Sequence, residues 1–220
     1  MTRRPTFSEL RWPDDPSDAG LPIRWAADVA SQVLDLTWRA FDKLQADHLV
    51  KVDFTQQDFE QLERDLTSKH FYQIALLWAA ETGGDAAFVP DHECPENESR
   101  SSAPATPPAY DLAFVSVANQ RVIWPLEAKV VPSPGKLAGY LKDVNDKFIG
   151  GVAAPLVGEG GMIAYLLTRE TEVVFENLAT KLAQVLAPDP RFSGRPHRVS
   201  RHSRASAPDL RLHHMLMQCV

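Results

Sequence analysis

Residues 110–131, YDLAFVSVANQRVIWPLEAKVV, restrict what this chain can fold into more than any other stretch. Two apolar, β-prone runs, 111–115 and 121–131, flank a polar break at Asn119 and Gln120, which predicts a β-hairpin. Side chains alternate along a strand, so Glu127 and Lys129 share one face while Ala128 takes the other. Asp111 opens the first arm, and pairing of the arms carries its carboxylate towards Glu127. Carboxylates and an ammonium gathered at one end of a buried hairpin are costly unless a cation or substrate compensates them. Two carboxylates with a backbone carbonyl make a hard oxygen site suited to Mg2+. Pro125 has no N–H for a ladder and predicts an edge or a bulge in the second arm.

Asp111 followed by Glu127-Ala128-Lys129, with Ile123-Trp124 leading in and Val130-Val131 leading out, resembles the PD-(D/E)XK, or restriction-endonuclease-like, nuclease superfamily. Tyr110 stands where the motif's name expects proline. The resemblance implies an α/β fold, a restriction-endonuclease-like core with a mixed central sheet flanked by helices, preceded here by an N-terminal helical addition. It implies that Asp111, Glu127 and the carbonyl of Ala128 hold Mg2+ or Mn2+, with Lys129 orienting water or neutralising developing charge. It also implies an acidic residue on the first core helix, for which Glu63 is the choice and Glu60 the alternate. Tyr140, Lys142 and Lys147, on the helix after the hairpin, become candidates for phosphate contact.

The rest of the chain supplies the elements such a core needs. Apolar residues recur at helical spacing over 22–44 and again from an N-cap at Asp53 or Thr55 to about Glu81. Gly83-Gly84 ends that second helix, and 86–89 can form a short strand. Residues 90–109, rich in Pro, Ser and Glu, read as a loop that could lie over a substrate groove. A helix is expected over 136–148, a strand buried on both faces over 162–167 beside the hairpin, a helix over 170–186 and a last strand over 209–220. The glycines at 150–151, 158 and 160–161 lack the Gly-Lys-Ser/Thr of a phosphate-binding loop. His213 and His214 are adjacent on a strand and face opposite ways, so they form no joint ligand pair. The expected organisation is an N-terminal arm and helix over 1–50 and the nuclease-like domain over 51–220.

Charge sets the expected partners. The formal net charge is −6, awkward for a stand-alone nucleic-acid binder. Basic residues cluster in Arg191, Arg195, Arg198, Arg201 and Arg204, of which Arg198 and Arg201 are the candidate nucleic-acid contacts. Such a run could instead cover an acidic partner. Two cysteines, Cys94 and Cys219, make neither a disulfide framework nor a zinc site, which suggests a reducing cytoplasm. The start shows no apolar signal region, and no apolar run reaches membrane-spanning length. These readings combine into an expected metal-dependent endonuclease acting on DNA, as the effector of a bacterial defence or restriction complex with a protein partner or as a homo-oligomer. Two alternatives stand beside it: an inactive nuclease-fold scaffold or binding subunit, and a repair or recombination nuclease.

Overall fold

A computed structural model describes residues 20–52, 54, 58–83, 86–96 and 108–220. The expected arm before Gly20, the caps at Asp53 and Thr55, and residues 97–107 of the expected loop lie outside the described residues. Helix α1 spans Leu21–Asp47 and α2 spans Phe59–Thr82. Asp58 caps α2 by accepting from Glu60 N, and Gly83, at φ +55°, closes it in the left-handed conformation that glycine adopts without penalty. Strands β1 (Phe88–Pro95), β2 (Ala109–Ser116) and β3 (Ile123–Val131) follow. Next come α3 (Ala138–Asp143), which runs into a π-helical turn at Val144–Ile149, β4 (Glu159–Leu166) and α4 (Thr171–Leu182). The chain ends with β5 (Ala187–Pro188), β6 (His197–His202) and β7 (Leu210–Gln218).

Among the described residues seven strands form one mixed sheet, in the order β1-β2-β3-β4-β7-β6-β5. The β2–β3 hairpin is antiparallel, whereas β3, β4 and β7 run parallel at the centre. Their alternating side chains divide the core in two. Ala128, Ile163, Tyr165 and Met215 pack against α1 and α2, which contribute Val33, Leu34, Phe41, Leu62 and Leu66. Val131, Met162, Ala164 and Leu216 pack on the opposite face against Tyr140, Val144, Phe148, Phe175 and Leu178 of α3, the π turn and α4. Every residue of β4 is buried, as a central parallel strand covered on both faces requires. Each fully buried leucine or phenylalanine contributes roughly 1.5–3 kcal/mol. The fold is thus α/β, a mixed sheet flanked by helices.

Besides the unforeseen strands β5 and β6, the structure differs from the sequence reading in three places. Residues 90–95 belong to strand β1, paired with β2, and not to a loop. This strand edges the sheet, where Pro90 and Pro95 are tolerated, and His92 stacks on Phe71 with ring centroids 5.2 Å apart. Pro125 lies in an interior strand, opposite Ala113 and one residue before the first β3–β4 pair, Leu126 with Gly161. Its missing N–H would point towards β4 before that ladder begins, so no bulge is needed. The helix expected over 136–148 breaks into α3 and the π turn.

The wider π turn keeps Tyr140, Val144 and Phe148 in one buried row, and Phe148 reaches the sheet over Gly160. A Cβ at Gly160 would meet Phe148 Cε1 at 2.7 Å. The second glycine cluster is therefore a close-packing device. No described helix is long and apolar enough to cross a membrane.

Candidate active site

The site forms where β2 and β3 part. Their ladder ends at Leu112–Leu126, leaving the N–H groups of Ala128 and Val130 on the open edge of β3. Carboxylates take them: Ala128 N–H donates to Asp111 Oδ2 at 2.7 Å, and Val130 N–H donates to Glu63 Oε2 at 3.1 Å. A buried N–H costs free energy unless paired, so the separating strands recruit an acid from β2 and one from α2.

Lys129 lies between these acids. Its Nζ donates to Glu63 Oε1 at 2.8 Å and to the Ala128 carbonyl at 2.9 Å, and lies 3.2 Å from Asp143 Oδ2 and 4.0 Å from Asp111 Oδ2. Burial alone would lower its pKa, but Asp111, Glu63 and Asp143 outweigh burial and raise it above the ordinary lysine value. The ammonium therefore stays protonated at neutral pH.

Glu127 is fully buried. Its Oε2 accepts from Lys147 Nζ at 2.6 Å, while Oε1 has no hydrogen-bond partner among the described residues. Burial, with the charges of Asp111 and Asp143 acting against that of Lys147, pushes the Glu127 carboxyl up to about 8. A buried oxygen with no donor among the described residues is open to a hard cation, although among those residues only Asp189, His197 and His213 bring three metal-type ligand atoms within 4.8 Å of one another. The donor set is all oxygen, as Mg2+ or Mn2+ prefers.

The predicted residues thus fall into two adjacent groups, Lys129 with Glu63, Asp111 and the Ala128 carbonyl, and Glu127 with Lys147. Asp143 joins them, unforeseen by the sequence reading. Its signal was the i, i+4 spacing to Lys147, which a surface ion pair would also show. Glu60 is exposed and faces Arg64 at 3.9 Å, so it is Glu63 that reaches β3.

Other candidates fall elsewhere. Tyr140 is buried and its hydroxyl meets His214 Nδ1 at 2.8 Å, so it cannot touch phosphate; the alternating apolar row of α3 takes it into the core. Lys142 is exposed and points away from the buried row of α3. Arg198 and Arg201 lie on β6, two strands beyond β4. Arg198 pairs with Glu172 and lies over the Phe175 ring at 4.4 Å. The other arginines of that run are structural too: Arg191 binds Asp189, Arg195 binds Asp42, and Arg204 donates to the carbonyls of Ala153, Ala154, Val157 and Pro208.

A second cluster, Asp189, His197 and His213, has three buried metal-type side chains. Its hydrogen bonds are already complete. Trp38 Nε1–H can only donate, so His197 accepts at Nδ1 (3.2 Å) and carries its proton on Nε2. That proton goes to His213 Nδ1 at 2.9 Å, leaving His213 Nε2–H to donate to Glu159 Oε2 at 2.8 Å. Asp189 is held by the guanidinium groups of Arg191 and Arg211, at 2.7 and 3.0 Å. No nitrogen lone pair is left free in this arrangement, so a metal ion held there would have to displace these hydrogen bonds. Burial above all lowers both histidines to about 3, consistent with neutral rings.

Comparison with protein-family models, with curated proteins and with solved structures gives no match.

Proposed function

We propose that this protein is a divalent-metal-dependent nuclease with a restriction-endonuclease-like core, acting on DNA. The observation that carries the reading is Glu127: a buried carboxylate with one oxygen unpartnered among the described residues, aligned on β3 with Lys129 and within electrostatic reach of Asp111 and Asp143. Asp111, Glu127 and Asp143 would hold the cation, with the Ala128 carbonyl retaining a second lone pair for it. Such a cation would acidify a nucleophilic water and stabilise negative charge on the phosphoryl oxygens.

The protein's own groups do the rest. Lys129, kept protonated by its acid neighbours, cannot serve as a base and instead supplies positive charge where the phosphorane develops it. Glu63 acts at one remove, as a positioning residue that fixes both the Lys129 ammonium and the Val130 backbone. Asp111 combines two roles, accepting from Ala128 with one oxygen and leaving the other for the cation.

Target recognition falls to a partner. Arg191, Arg195, Arg198 and Arg204 are consumed by internal pairs, which leaves little of the basic run for phosphates. This supports a subunit that relies on a partner for its target; the setting we propose for it is the effector of a cytoplasmic defence or restriction assembly. The test is nicking of supercoiled plasmid with Mg2+ or Mn2+ by the wild type and by a Glu127→Ala/Lys129→Ala double variant, each alone and with any co-purifying partner. Cleavage by the wild type only is expected; equal cleavage by both would refute the assignment.

A further inference from the structure

The two lysines of the site are held very differently. Lys129 has three anchors within 3.2 Å: Glu63, the Ala128 carbonyl and Asp143. Lys147 has one, Glu127 Oε2 at 2.6 Å, with Asp143 Oδ2 more distant at 3.8 Å. Its side chain is 29% exposed, so its flexible stem has a way out to solvent, whereas Glu127 beneath it is 0% exposed. Lys147 also sits within the π turn, a helical irregularity found mostly at functional sites.

Charge bookkeeping separates the two lysines further. With all four acids ionised, Glu63, Asp111, Glu127 and Asp143 oppose two ammonium groups and leave an excess of two formal negative charges. A single divalent cation balances that excess. Placed beside Glu127 Oε1 it would share a carboxylate with the Lys147 ammonium, and two positive charges a few ångströms apart in a buried setting repel strongly.

We propose that Lys147 is a built-in counter-ion of the cation site: its ammonium competes with a divalent cation for Glu127 and Asp143, and leaves Glu127 when the cation binds. The proposal rests on the metal-dependent reading above. It gives the site two states, one closed by a lysine and one loaded. An anionic phosphate entering the loaded site offers the freed ammonium a new partner, so cation and phosphate each strengthen the binding of the other, as linkage requires.

The test is calorimetric titration of chelator-stripped protein with Mn2+ alone, without nucleic acid. Lys147→Met, and as a second form Lys147→Gln, should bind Mn2+ about tenfold more tightly or better than the wild type. Lys142→Met, which removes the same charge from the exposed side of α3, should stay within about twofold of the wild type. Thermal melts of the metal-free variants check that each is folded. Tighter binding confined to the two Lys147 variants supports the counter-ion role. Unchanged or weaker binding in both overturns it while leaving the cation site standing. Failure of the wild type and all variants to bind Mn2+ at millimolar concentration overturns the cation reading and this proposal together.

Discussion

Ala128 N–H donates to Asp111 Oδ2 at 2.7 Å one step beyond the last β2–β3 pair, so an acid side chain continues the ladder that the backbone has abandoned. On the proposed reading the same carboxylate serves structure and chemistry, and the two can be separated by substitution. Asp111→Asn keeps an oxygen acceptor for Ala128 and should leave stability within about 0.5 kcal/mol of the wild type while losing cleavage. Asp111→Ala orphans the N–H and should cost about 1–3 kcal/mol. Urea melts of the two variants check this; equal destabilisation would contradict the capping role.

Glu127→Gln should abolish cleavage without loss of stability. The carboxyl is buried and pushed up to about 8, so folding works against its ionisation at neutral pH. A neutral amide of the same shape removes that cost. A clear drop in melting temperature would show that the Glu127–Lys147 pair is a net stabiliser.

The relay from Trp38 through His197 and His213 to Glu159 should behave as a structural network. His197→Phe leaves the Trp38 and His213 groups unpartnered and should destabilise by about 1–3 kcal/mol for each orphan. Because its nitrogens are all engaged, equimolar Zn2+ should not raise the melting temperature of the wild type. A rise of several degrees that His197→Phe abolishes would reassign the cluster as a metal centre.

Stability should peak near neutral pH. Burial, above all, lowers His70 to about 4 and His197, His213 and His214 to about 3, from an ordinary 6.5. Between those values the unfolded chain binds more protons, so the stabilisation is complete above about 6.5 and is lost as pH falls through the folded values. Glu127 and Glu159 act oppositely: raised to about 8 and about 7, they favour the fold at low pH and lose that contribution as pH rises through those values. Denaturant midpoints at pH 5, 7 and 9 should be highest at 7, and Glu127→Gln should flatten the alkaline side. A midpoint unchanged down to pH 5 would contradict the buried neutral histidines.

Gly160→Ala should destabilise by about 1–3 kcal/mol, since the new methyl group would overlap the Phe148 ring at 2.7 Å. Leu137→Ala, which makes a cavity on the same side of the core, provides a comparison in thermal melts. No effect of the glycine substitution would mean that the π turn yields easily.

The sequence by itself determined what depends on period and local chemistry. Alternation along residues 110–131 placed Glu127 and Lys129 on one face, the unbroken apolar run at 162–166 marked a strand covered on both sides, and helical spacing marked α1 and α2. Resemblance of a few residues pointed to Asp111 and Glu63. Only the tertiary structure decided what those residues meet. Asp143 and Lys147 look in sequence like any i, i+4 ion pair, and become part of a site because α3 and the π turn dock over β3. The same docking buries Tyr140. The basic run from Arg191 to Arg204 has the composition of a phosphate-binding surface, yet the guanidinium groups of Arg191, Arg195, Arg198 and Arg204 find acids and carbonyls within the fold. Period-2 and helical patterns are written residue by residue, whereas the partner of a charge is fixed by chain segments far apart in sequence, and no local pattern records it.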